Sequence, residues 1–197
     1  MNIRSAFIPT LVCASLLAFP ALAQETAGDD AATAPQIGQP YVAAAFNDWE
    51  ILCNIVDDAG NEACEMYQLL VDDSNSPIAE ISMAALPFGS EFSAGATVTT
   101  PLETFLPTGM GWRIGDAEDM RIEGFRVCTV VGCIVRMGIT ADEVDAMKAG
   151  AEATITIAPF VAIDQPLNIR VSLSGFTAAY DDLQTRLSEA AVRARGN

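Results

Sequence analysis

Leu167-Asn-Ile-Arg-Val-Ser-Leu173 alternates without a break. Leu167, Ile169, Val171 and Leu173 fall on one side of an extended chain, and Asn168, Arg170 and Ser172 fall on the other. Period two over that length predicts a strand with one buried face. The same pattern recurs upstream. Ile155 and Ile157 alternate with Thr154 and Thr156 within 153–158. Trp49, Ile51, Cys53 and Ile55 alternate with Glu50 and Asn54, with Leu52 out of phase. Further strands are predicted over 64–71, 78–85, 110–114, 125–130 and 133–139. Turn chemistry separates them: Asp57-Asp-Ala-Gly-Asn61, Asp72-Asp-Ser-Asn-Ser76, Leu86-Pro-Phe-Gly89 and Val131-Gly132. About seven to eight short strands with such turns describe a mainly β chain folded as a sandwich or barrel.

Two helices punctuate the strands. Thr140-Ala-Asp-Glu143 forms a capping box, in which Thr140 caps the backbone and Glu143 reaches back. Val144 and Met147 then point inward, Lys148 suits the negative helix end, and Gly150 is placed for a left-handed stop. A second helix is predicted from about Thr177 into the tail, because Phe176, Ala179, Tyr180, Leu183 and Leu187 recur at helical spacing.

The N-terminus reads as a secretory leader. Met1-Asn-Ile-Arg4 is short and basic, an apolar run follows, and Ala21-Leu-Ala23 is a small-residue cleavage site before Gln24. Residues 1–23 are therefore expected to be removed. Cys13 leaves with them, and bulky Leu11 and Val12 make it a poor lipid acceptor. Residues 24–45, rich in Ala, Gly, Asp, Thr and Pro without an apolar period, are expected to form a flexible linker. The domain is expected over 46–187 and a tail over 188–197. No later stretch is long and apolar enough to cross a bilayer, so no transmembrane segment is expected in the mature chain.

The chain of 197 residues has a formal charge of −16 and no histidine. Loss of Arg4 with the leader makes the charge one unit more negative. Such a field repels nucleic acid and anionic membranes and favours a basic partner. The missing histidine removes the commonest general base, the usual zinc ligand and every Ser-His-Asp arrangement.

Four cysteines remain after cleavage, and four allow three pairings. Export places them where disulfides persist. Neighbour pairing gives Cys53–Cys64 across one strand–turn–strand unit and Cys128–Cys133 across another. The alternative is an inter-sheet bridge from Cys53 to Cys128. A thiol enzyme is disfavoured, since redox cysteines sit as Cys-x-x-Cys at a helix start, and these do not. No metal site and no cofactor are expected. The acidic groups at Asp57, Asp58 and Glu62, at Asp72 and Asp73, and at Asp116, Glu118 and Asp119 lack the spacing of a calcium loop and read as solvated turns.

Several short motifs in order point to a family. They are Phe46-Asn-Asp-Trp49 before Cys53, Leu86-Pro-Phe-Gly89, Leu106-Pro-Thr-Gly109, Cys128-x-x-x-Gly132-Cys133, Lys148-Ala-Gly150, Val171-Ser-Leu-Ser-Gly-Phe176 and Ala178-Ala-Tyr-Asp-Asp-Leu183. With them the chain resembles the invasion-associated locus B family of bacterial envelope proteins. Asn47 stands where Gly commonly precedes Asp-Trp. The resemblance implies an immunoglobulin-like β-sandwich with one short inserted helix and a C-terminal helix. It also implies export to the periplasm or outer envelope, and it carries over no catalytic residues.

Trp49, Phe125, Phe176 and Tyr180 are expected in the core. Trp112 and Phe105, set among Gly and Pro, are the candidates for an exposed contact surface. The expectation is an exported, non-enzymatic module that binds a protein or envelope component of basic character in host-cell or surface interaction. A periplasmic stress or assembly factor is the runner-up, and a hydrolase or thiol enzyme comes third.

Overall fold

The computed structural model describes residues 35–196. The expected leader, 1–23, and the start of the expected linker lie outside the described residues. Eleven strands and two helices follow in order. The first five are β1 (Tyr41–Phe46), β2 (Trp49–Ile55), β3 (Glu62–Val71), β4 (Pro77–Ala85) and β5 (Ala94–Thr100). Then come β6 (Met110–Ile114), β7 (Arg121–Glu123), β8 (Phe125–Thr129) and β9 (Gly132–Ile139). Helix α1 (Ala141–Ala149) leads to β10 (Glu152–Ile157) and β11 (Leu167–Ser172), and α2 (Phe176–Gly196) ends the chain.

The strands form two antiparallel sheets, β1-β2-β3-β4-β5-β9-β8 and β11-β10-β6-β7. Their alternation makes the core. Trp49, Ile51 and Cys53 of β2, Met66 and Leu70 of β3, and Ile81 and Met83 of β4 are buried on one face of the large sheet. Met110 and Trp112 of β6, Ile155 of β10, and Ile169 and Val171 of β11 are buried from the small one. Burial of such apolar area is the main stabilising term. Helix α2 packs against β1 to β4 of the large sheet. Its Phe176 meets Trp49 edge-to-face at 5.6 Å and stacks on Tyr180 at 5.9 Å. The indole nitrogen of Trp49 donates to the Ser172 carbonyl at 2.8 Å, so its polar atom is satisfied in the core.

The architecture is the mainly β, two-sheet arrangement with an inserted and a C-terminal helix that the sequence implies. The short strand β7 was not expected, and other details differ as well. Residues 41–45 are strand β1, not linker. There the apolar period is hidden by alanines and by a bulge between Val42 and Ala44, yet Tyr41, Ala43, Ala44 and Phe46 pack on the core. Strand β5 is also new. Ala94, Ala96, Val98 and Thr100 are its buried positions, and side chains that small give little hydrophobic contrast with Gly95, Thr97 and Thr99. Helix α2 continues to Gly196, so most of 188–197 is helix, not tail. Gly150 ends α1 in an extended conformation, φ −87° and ψ 169°, and is not left-handed.

The capping box at α1 is present: the Glu143 amide donates to the Thr140 hydroxyl, and the Thr140 amide donates to the Glu143 carboxylate. The cysteines pair as neighbours, Cys53 with Cys64 and Cys128 with Cys133, at Cα separations of 4.1 and 4.0 Å.

Candidate functional site

Trp112 does not reach the surface. It is 2 % exposed, faces the core from β6 and pairs across the strands with Ile155 and Arg121. Alternation along β6 puts it on the same face as Met110, and that outweighs the freedom of the flanking glycines. It is therefore removed from the candidate contact surface. Phe105 is half-buried, and it leads to a different surface.

Three connections meet beyond Thr100. The first joins β5 to β6 and contains a short 3-10 turn, Leu106–Thr108. The second joins β10 to β11 over 158–166. The third is the β8–β9 hairpin, closed by Cys128–Cys133. Hydrogen bonds tie them together. The Phe105 amide donates to Ala158 O and the Phe160 amide to Glu103 O, each at 2.7 Å, on either side of a bridge between Thr104 and Pro159. The Thr104 hydroxyl donates to Pro101 O and to the Thr100 hydroxyl, and the latter donates to Cys133 O. Thr100 and Thr104 are buried, so each hydroxyl serves as an internal fastener.

This frame holds apolar side chains in water. Phe160 is 68 % exposed and Val161 84 %, and Leu102 and Leu106, which flank Phe105 in sequence, are exposed too. The Phe105 and Phe160 rings sit 6.4 Å apart in a tilted pair. The hairpin tip adds Val130 and Val131, also exposed. A loop that packs loosely would fold such residues inward. Here the backbone bonds prevent it, so the apolar group is an organised surface. Its charge is simple. Residues 99–112 contain only Glu103, and 158–169 contain only Asp164, as charged groups. Phe160 and Val161 were not singled out from the sequence. Their signal was Pro159-Phe-Val161 standing between two clean strands, where a turn normally carries polar residues.

The acidic turns have structural employment. The Asp57 carboxylate accepts from the amides of Ala59 and Asn61 and from the Asn61 side chain. Asp72 accepts from the amides of Ser74 and Ser76 and from the Ser74 hydroxyl. Those donors hold both carboxyls below the ordinary carboxylate range, the Asn61 side chain foremost for Asp57 and the Ser74 hydroxyl for Asp72. Cys53, Cys64 and Glu62 lie close enough to suggest a metal cluster. The two sulfurs are bonded to each other, however, and Glu62 accepts from the Tyr41 hydroxyl.

With the sandwich and its disulfides in view, the family model described as Invasion associated locus B (IalB) protein matches residues 49–184. The chain belongs to the invasion associated locus B family. It is similar to the invasion protein B homologues of two Brucella abortus strains, 2308 and biovar 1 strain 9-941. Each is 26 % identical over 148 residues, which covers 75 % of this chain and 82 % of theirs. Its fold is that of the crystal structure of invasion associated protein b from Bartonella henselae, with a TM-score of 0.64 and 24 % identity over 74 % of this chain and 97 % of that one. The family match spans β2 through the first half of α2, so both disulfides and the tied loop end fall within it.

Proposed function

We propose that this chain is an exported, non-enzymatic binding module that engages a protein partner through the apolar loop end. The observation that carries this reading is the exposed Phe160-Val161 tip, held out by the backbone bonds from Glu103 and Phe105. An exposed aromatic on a rigid frame loses little conformational entropy on contact, which is why aromatic anchors dominate interfaces. Export is supported by two disulfides and by the leader-like N-terminus. The invasion-related names of the relatives support a surface role of the same kind. A partner suited to this end offers an apolar pocket rimmed by Lys or Arg, which would meet Glu103 and Asp164 and the strongly negative whole.

The test is site-specific crosslinking in living cells. A photoreactive residue at Val161 should capture one discrete partner band, and the same residue at Glu189 on α2 should not. Phe160→Asp should remove the band while the purified variant keeps its melting temperature. Equal capture from both positions, or capture that survives Phe160→Asp, would show that this end is not the binding surface.

A further inference from the structure

A second apolar feature adjoins the loop end on the outer face of the large sheet. The alternation that buries Leu70, Ala79 and Val98 turns Leu69, Ile78, Glu80 and Thr99 outward. Leu69 stands opposite Glu80, and Glu80 opposite Thr99. A groove of about 320 Å³ opens here, walled by Leu69, Pro77 and Ile78 and, from beyond β5, by Pro101 and Val131. Pro101 leads directly into Leu102 and Phe105, and the Thr104 hydroxyl pins that stretch by donating to Pro101 O at 2.7 Å. The groove and the Phe160 tip therefore adjoin on one tied frame.

Charge and backbone together say what covers it. Segments 66–82, 97–104 and 127–134 build the groove, and they contain Asp72, Asp73, Glu80 and Glu103 but no Lys or Arg. Asp72, Asp73 and Glu103 are exposed. Arg136, on the same face, lies two residues past Ile134, opposite Thr97. A second copy of a chain with formal charge −16, or an anionic bilayer, would meet like charge here. Strands β3, β4 and β5 each have a neighbour on both sides, so no strand edge faces the groove. An extended segment laid there would leave its own N–H and C=O groups unpaired. A helix carries its backbone bonds internally and needs only room for side chains.

We propose, on the reading that the loop end is the binding surface, that this groove receives a cationic amphipathic helix of the protein partner. The apolar stripe of that helix sets a Leu-sized side chain between Leu69 and Val131. Lys or Arg beside the stripe face the surrounding carboxylates. Exposed ion pairs are individually weak, so apolar burial holds the helix and the carboxylates choose its sign.

The test uses the mature chain and a fluorescent peptide of about 18 residues, with Leu and Lys at amphipathic helical spacing. Anisotropy should show saturable binding with a dissociation constant in the micromolar range. The same residues reordered without helical amphipathicity should bind about tenfold or more weakly, and a Leu and Glu peptide of the original spacing should not bind. Val131→Lys and Leu69→Lys, both at exposed positions, should each weaken binding by about tenfold or more with an unchanged melting temperature. Val192→Lys, exposed on α2, makes the same change of charge and should alter binding by less than about twofold. No saturation by about 200 µM peptide overturns the proposal, as does equal binding of the reordered peptide or an equal loss in Val192→Lys. A dimer of the mature chain that Val131→Lys dissolves would overturn it in favour of a second copy. Capture of a cellular partner from Val161 with no peptide bound removes the helix and leaves the loop-end reading standing. Peptide bound at the groove with no capture from Val161 removes that reading and leaves the groove its helix.

Discussion

Gly175 has φ +86°, and a Cβ there would fall 1.9 Å from the carbonyl oxygen of Phe46. That contact seats the start of α2 against β1 and makes Gly175 hard to replace. Gly132 repeats the logic, since its Cβ would meet Thr100 O at 2.4 Å. Asn47 has φ 52°, a region that Gly and Asn share. Gly175→Ala should destabilise the fold by about 2 kcal/mol or more in urea unfolding, because backbone cannot yield as a side chain can. Two aromatics divide core from surface in the same way. Trp112→Ala should cost about 3–5 kcal/mol, and Phe160→Ala less than about 0.5 kcal/mol. Denaturant midpoints of the two variants check both. Tyr67 gives a pH signature. Burial first, and then its hydrogen bond to Glu80, push its phenol up to about 12. The folded chain holds that proton more tightly than the unfolded one. The contribution is therefore complete below the ordinary tyrosine value near pH 10 and is lost as pH rises toward 12. Tyr67→Phe should flatten the alkaline limb of a stability-versus-pH curve in that window.

At the scale of elements, the two disulfides act on different parts. Cys53–Cys64 joins β2 and β3 beside α2, whereas Cys128–Cys133 closes the hairpin that carries Val130 and Val131. Short loops of this kind contribute roughly 2–3 kcal/mol by constraining the unfolded chain. Replacing Cys128 and Cys133 by Ala should lower stability by about 2 kcal/mol and also weaken partner capture from Val161, because it unties the hairpin whose main-chain Cys133 O accepts from Thr100. Parallel melting and crosslinking measurements separate the two effects. Strands β2, β3, β4 and β11 were legible because large apolar side chains alternate with polar ones. Strands β1 and β5 were not, because alanine, glycine and threonine carry the alternation too weakly, and neither was β7, whose three residues are too few to show a period. The candidate site was half legible. Phe105 drew notice for its setting, but only the pairing of Thr104 with Pro159 brings Phe160 beside it.

For the whole molecule, charge sets the conditions of any encounter. A formal charge of −16 acts over about a Debye length, roughly 8 Å at physiological salt. Association with a basic partner should therefore be faster at low salt, while the apolar tip sets how long the complex lasts. Raising salt should reduce the association rate at least about tenfold with a smaller change in dissociation, and Phe160→Ala should do the reverse. Surface-immobilised partner and stopped-flow measurements resolve the two rates; an association rate indifferent to salt would remove the case for a basic partner. Sequence alone determined the mainly β class, the neighbour pairing of cysteines as the expected choice, both helices and the absence of histidine chemistry. These are local matters, read from period, spacing and residue type. Tertiary structure alone decided that Trp112 is core and that Phe160 stands in water. A side chain's exposure depends on which strands and loops arrive from distant parts of the chain, and no local period records that.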